Sequence, residues 1–173
     1  MSWKNVEIKA KCADITVLEK KLLKHQADYK GLDHQIDTYF NVPNGRLKLR
    51  EGNIENALIH YDRGNQAKPK LSSVTYYQPN ESADLKATLA AALGVKVVVD
   101  KKRQIFFIDN IKFHLDRVEG LGMFAEIEAI DKDGTLDLAA LQKQCYDYMA
   151  ILNITETDLL AVSYSDLLLQ LGR

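Results

Sequence analysis

Two cysteines, three prolines and one tryptophan are few for 173 residues, and the formal net charge is only -1. Cys12 and Cys145 are far apart and form no CxxC, which excludes a zinc ribbon or a dithiol redox motif. Each lies in an apolar-periodic segment and reads as a buried thiol. The near-zero net charge supplies no global field to draw in nucleic acid or an anionic membrane. Any basic site must therefore be local and offset by acids elsewhere. No apolar run is long enough to span a bilayer. The start, MSWKNVEIKAK, has no apolar stretch of the kind a signal peptide carries, so a cytoplasmic protein is expected. Neither GxGxxG nor a Walker pattern occurs, and Gly120 and Gly122 read as turn glycines. There is no linker, repeat or low-complexity segment. One domain spanning 1–173 is expected, long enough for a sizeable core.

What is present is alternation. NVEIKAKC reads as a strand with Glu7, Lys9 and Lys11 on one face and Ile8, Ala10 and Cys12 on the other. A helix from about Asp14 to Gln26 follows. Thr16 and Glu19 have capping-box spacing, with Asp14 as the alternative N-cap. HQIDTYFNV, the turn PNG and RLKLRE read as a hairpin; NALIHYDR and KLSSVTYYQ read as another around GNQAKP. SADLKATLAAALG reads as a helix with Ser82 as N-cap and Gly94 past its end. VKVVVDKKRQIFFID is β-rich, and IKFHLDRVE, GLG and MFAEIEAID make a third hairpin. A helix over DLAALQKQCYDYMAIL carries the stripe Leu138, Leu141, Cys145, Met149 and Leu152, and SYSDLLLQLG closes the chain as a short helix. Many strands, several joined as hairpins, argue for an α+β fold with a largely antiparallel sheet.

Strand after strand puts its charge on one face. In GRLKLRE, Arg46, Lys48 and Arg50 share a face opposite Leu47 and Leu49. Lys101 and Arg103 share a side, with Lys102 pointing the other way. Lys112, His114 and Asp116 do the same, as do Glu126 and Glu128. One reading is a sheet with a solvated face. The other is a sheet closed into a barrel with a polar lumen. Water and a polar lumen leave the same period, so alternation leaves both open. IFFI, apolar on both faces, and the apolar neighbours of the acids in AEIEAI favour a lumen covered by helices.

VEIKAK, DTYF, RLKLRE, DKKRQIFF, HLDRVEGLGMFAEIE and SYSDLL, in that order, resemble the CYTH superfamily, which includes class IV adenylyl cyclases and thiamine triphosphatases. The similarity is strongest to the class IV adenylyl cyclase branch and covers about residues 5 to 168. It implies a closed eight-stranded antiparallel β-barrel with flanking helices, the triphosphate tunnel. Basic residues would hold a triphosphate there, and acids would hold Mg²⁺ or Mn²⁺. A triphosphate carries about four negative charges near neutral pH; Arg binds it in bidentate fashion and Lys as a point charge, while carboxylates suit hard divalent cations.

By this resemblance Lys11, Arg46, Lys48, Arg50, Arg63, Lys70, Lys101 and Arg103 are expected to face phosphate, and Lys9, a cation in place of a family acid, is expected to repel a divalent metal and add a phosphate contact. Glu7, Asp116, Glu126 and Glu128 are expected to face metal, and no residue is assigned the chemical step. The expected partner is a small triphosphate: ATP, tripolyphosphate or thiamine triphosphate. The resemblance also allows a homodimer. The expected activity is cyclisation of ATP to cyclic AMP and pyrophosphate. A tripolyphosphatase or thiamine-triphosphatase-like hydrolase and a non-catalytic nucleotide or polyphosphate binder are the alternatives. One position departs from the pattern. The family signature is Glu-x-Glu-x-Lys, whereas this chain reads Glu7-Ile8-Lys9-Ala10-Lys11, with a cation where the second acid belongs. His114 reads as an ordinary sheet histidine, and Tyr39 and Tyr61 read as packing residues.

Overall fold

A computed structural model describes residues 2–63, 65–80 and 82–172, and for Ser2, Trp3 and Arg63 the backbone alone. Eight strands run as β1 (Ser2–Lys11), β2 (Asp28–Phe40), β3 (Arg46–Glu51), β4 (Ala57–Arg63), β5 (Lys70–Tyr77), β6 (Val95–Ile108), β7 (Ile111–Val118) and β8 (Gly122–Asp131). They close into one barrel in the order β1-β5-β4-β3-β2-β6-β7-β8, every pair antiparallel. The three expected hairpins are β2–β3, β4–β5 and β7–β8. The long strands β2 and β6 pair along most of their length, with irregularities between Tyr29 and Gly31 and between Tyr39 and Phe40. Such bulges bend a strand and let a sheet curl shut.

Closure gives the alternation its meaning, because one face of every strand now looks inward. The outward faces of β1, β7 and β8 are apolar. Val6, Ile8, Phe113, Leu115 and Ile127 pack under α1 (Ile15–Lys24) and α3 (Leu138–Leu152). Helix α1 starts where Asp14 accepts from the Thr16 N–H, so Asp14 is the N-cap and the Thr16–Glu19 box does not form. In α3 the stripe buries Leu141, Cys145, Met149 and Leu152, but Leu138, in the first turn, is 44% exposed. Burial pushes the Cys145 thiol up to about 12, so it behaves as an inert apolar group. Helix α2 (Ala83–Leu93) buries no residue. Its Ser82 hydroxyl donates to Glu51 rather than capping the helix, and Lys86 also pairs with Glu51.

The last helix, α4 (Tyr164–Gln170), sits differently. Tyr164 and Leu168 pack on Tyr39, Tyr61, Val97, Val99 and Phe124, so an apolar plug fills this end of the barrel. Among the described residues no helix is long and apolar enough to cross a membrane.

Candidate functional site

The barrel encloses a cavity of about 360 Å³. Seven of its lining residues are cations (Lys9, Lys48, Arg50, Lys101, Arg103, Lys112 and Lys132), and five are acids (Glu7, Asp37, Glu55, Glu126 and Glu128). The walls are unequal. Strands β1, β3, β6, β7 and β8 carry most of the charge. Strands β4 and β5 contribute Ile59, Tyr61, Val74 and Tyr76, with Tyr39 and Phe107 beside them.

Three clusters organise the charges. In the first, Asp37 on β2 collects cations from both neighbouring strands. Arg50 donates to it through Nε (2.8 Å) and Nη2 (2.9 Å), Lys48 at 2.9 Å and Lys101 at 2.7 Å. Burial alone would raise the Asp37 pKa, but Arg50, Lys101 and Lys48 together hold it well below the usual carboxylate range. Burial and the crowding of Arg50, Arg103 and Lys48 push Lys101 down, against the pull of Asp37.

The second cluster joins β1, β6, β7, β8 and α4. Arg103 grips Asp116 in bidentate fashion at 2.7 and 2.6 Å and reaches Glu126 at 2.9 Å. The Tyr164 hydroxyl donates to Asp116 at 2.7 Å. Lys9 Nζ lies 2.9 Å from Glu126, and His114 Nδ1 lies 2.9 Å from the same carboxylate. Burial, then the nearby Arg103, lowers the His114 pKa and favours the neutral ring, against the pull of Glu126. With Nδ1 donating to Glu126, Nε2 becomes an acceptor, and among the described residues this buried atom has no hydrogen-bond partner.

The third cluster hangs on the β3–β4 loop. Asp33, fully buried, accepts from the N–H groups of Ile54 and Glu55 and from Gln35. Gly52 lies against the Asp33 carboxylate, where a Cβ would come within 2.7 Å of Oδ1, so only glycine fits unstrained. The clamped loop aims Glu55 at the lumen, where it pairs with Arg50 at 3.0 Å and with Lys112.

Of the residues expected at phosphate, Lys9, Lys48, Arg50, Lys101 and Arg103 line the cavity. Lys11 does not. It ends β1 at the rim, where its cross-strand partner Phe124 fills the interior, and its ammonium is solvent-exposed. Arg46 is drawn to Asp166 (2.8 Å) and Asn65 (3.2 Å), near α4. Lys70 is buried but donates to the carbonyls of Gln66 and Ala161. The side chain of Arg63 lies outside the described residues. Of the expected metal ligands, Glu7, Glu126 and Glu128 line the cavity; Asp116 is held behind Arg103. Lys102 points outward as expected. Tyr39 and Tyr61 are packed in the core and also line the lumen, with their hydroxyls 3.4 Å apart. Asp37, Glu55, Lys112 and Tyr164 are additional residues of the site that carry no expected role in the sequence, and His114, expected as an ordinary sheet histidine, joins them. The shared face of Lys112, His114 and Asp116 was the available signal for two of these.

The Mg²⁺ or Mn²⁺ implied by the resemblance finds a poor fit in these side chains. Both Glu126 oxygens are engaged, one by Lys9 and the other by Arg103 and His114. Both Asp116 oxygens are engaged by Arg103. Among the described residues, no group of three His, Cys, Asp or Glu side chains is placed to hold a metal ion.

The CYTH domain profile matches residues 4–164. No curated protein matches the chain significantly. Solved structures share the fold at low identity. A Pyrococcus horikoshii protein is 24% identical, with a TM-score of 0.75 over 94% of this chain and 98% of its own. A candidate adenylate cyclase of Vibrio parahaemolyticus is 20% identical, with a TM-score of 0.78 over 95% and 97%. A candidate adenylyl cyclase of Hippeastrum with a dominant triphosphatase activity is 10% identical, with a TM-score of 0.62 over 99% and 96%.

Proposed function

The chain belongs to the CYTH domain family, and from that premise we propose that it binds the triphosphate of an organic small molecule inside the barrel. One observation carries the proposal. Lys48 and Arg50 from β3 and Lys101 from β6 share the single carboxylate of Asp37 on β2. The cluster is left positive in a water-poor lumen, where a phosphate chain can satisfy it and where charge-assisted hydrogen bonds are strong. Lys112 and Arg50 share Glu55 and extend the same surplus along the tunnel.

The uncharged wall favours an organic triphosphate over a bare polyphosphate. Ile59, Tyr61, Val74, Tyr76 and Phe107 offer apolar and ring surface to a base or another heterocycle. ATP cyclisation is the first reaction to test. The ribose 3′-oxygen would attack the α-phosphorus in line, and pyrophosphate would leave. Hydrolysis at a terminal phosphorus is the second reaction, in keeping with the Hippeastrum relative.

The test is calorimetric titration with ATP, thiamine triphosphate and tripolyphosphate, followed by product analysis with and without Mn²⁺. At least one organic triphosphate should bind more tightly than tripolyphosphate. Cyclic AMP with pyrophosphate identifies a cyclase, released phosphate a hydrolase, and binding without product a binding module. Failure of all three ligands to bind would overturn the proposal.

A further inference from the structure

Two cross-strand pairs sit side by side on the β1–β8 wall, Glu7 opposite Glu128 and Lys9 opposite Glu126. All four line the cavity, so this square holds three carboxylates and one ammonium. The ammonium is fixed. Lys9 is 4% exposed, its Nζ lies 2.9 Å from Glu126 Oε1, and it stands 3.6 Å from the centroid of the Tyr164 ring. An acid on one side and a π face on the other hold it in place. The remaining Glu126 oxygen is taken by Arg103 and His114. On the far side of β8, Lys112 is the register partner of Glu128. Lys9 and Arg103 therefore balance Glu126 on this wall.

We infer that Lys9 is the resident cation of the β1–β8 wall, occupying the place of a divalent metal, and that triphosphate binding here is metal-independent. The inference rests on the triphosphate reading above and deepens it. Mg²⁺ and Mn²⁺ demand several oxygen ligands at once. Here one corner of the square supplies a positive charge instead of an oxygen, and its neighbour, Glu126, is already committed. An ammonium carries three donors. Lys9 spends part of that capacity on Glu126 and keeps the rest for a phosphate oxygen. A metal would have to break a buried ion pair and then sit beside the ammonium it displaced.

Two measurements test this on the full chain. The first follows free Mn²⁺ by electron paramagnetic resonance and does not depend on any phosphate ligand. Wild type should leave the free signal undiminished, and Lys9→Glu, which completes a square of four carboxylates, should deplete it. Depletion by wild type overturns the inference. The second is calorimetry with tripolyphosphate, in EDTA and in Mg²⁺, compared at equal free ligand. Wild type should bind equally well in both buffers. Lys9→Met should bind about tenfold more weakly, with no rescue by Mg²⁺. Lys9→Glu should bind well only with Mg²⁺. Wild-type binding that requires Mg²⁺ overturns the inference even if neither variant folds. If wild type ignores tripolyphosphate in both buffers, the same comparison is made with ATP and thiamine triphosphate; only if all three fail to bind does the lumen reading fall, and the binding half of the inference with it, while the Mn²⁺ signal still decides the other half.

Discussion

Arg50 donates through Nε and Nη2 to Asp37 and through Nη1 to Glu55, so its guanidinium is aligned before a phosphate arrives. Arg50→Ala should weaken triphosphate binding by about 1.5–3 kcal/mol, roughly ten- to a hundredfold, as read by titration. Unchanged affinity in a folded variant would place Arg50 outside the site. Asp37 has the opposite part, since it holds three cations together. Removing one partner of a buried ionic cluster typically costs about 3–5 kcal/mol, so Asp37→Asn should be destabilised on that scale in urea at pH 7. Its pH dependence has a definite sign. The folded pKa of Asp37 is lowered, so the carboxylate contributes its full stability above the unfolded value of about 3.9. That contribution is lost as pH falls through the folded pKa. The gap between wild type and Asp37→Asn should be level near neutrality and close only below about pH 4. A gap that narrows between pH 8 and 6 would assign the effect to another group. Asp37 was hard to read in the sequence because DTYF surrounds it with residues suited to any strand. Glu55, in the loop GNIEN, has no period to say where it points.

Helix α3 shows what a periodic stripe can and cannot tell. Leu138 and Leu141 share the stripe, yet Leu141 is 1% exposed against the barrel and Leu138 is 44% exposed at the helix start. Leu141→Ala should cost about 2–5 kcal/mol in urea unfolding, whereas Leu138→Ala should stay within about 0.5 kcal/mol of wild type. Equal losses would mean that the first turn of α3 docks as deeply as its middle. Strand identity and hairpin pairing were legible because alternation and turn residues are local signals. The destination of each charged face was not, because period 2 looks the same against water and against a lumen. Strand ends are where alternation says least about the destination of a side chain. Lys11 and Arg46 have the right alternation for the tunnel, but each lies at a strand end, where Phe124 fills the interior or Asp166 competes for the side chain.

At the scale of the whole molecule, a ligand that binds only the closed barrel must stabilise all of it. Tripolyphosphate at about 100 times its Kd should add about 2.7 kcal/mol. For a chain of this size that is a rise in Tm of roughly 5–10 °C, measurable by differential scanning fluorimetry. No shift at saturation would mean that the anion binds the unfolded chain as well as it binds the closed barrel. Closure has another consequence, one that concerns the order in which the chain is made. β1 leaves the ribosome first, yet both of its sheet neighbours, β5 and β8, come later, and Lys9 must wait for Glu126. At about 5–20 residues per second, a lag of roughly a hundred residues lasts some 5–20 s. Throughout that interval Val6, Ile8 and Ala10 have no β8 or α3 to cover them. The nascent β1 therefore keeps its apolar face uncovered, and its β8 edge unpaired, until β8 and α3 are made, and it is a natural client for a holdase chaperone in that interval.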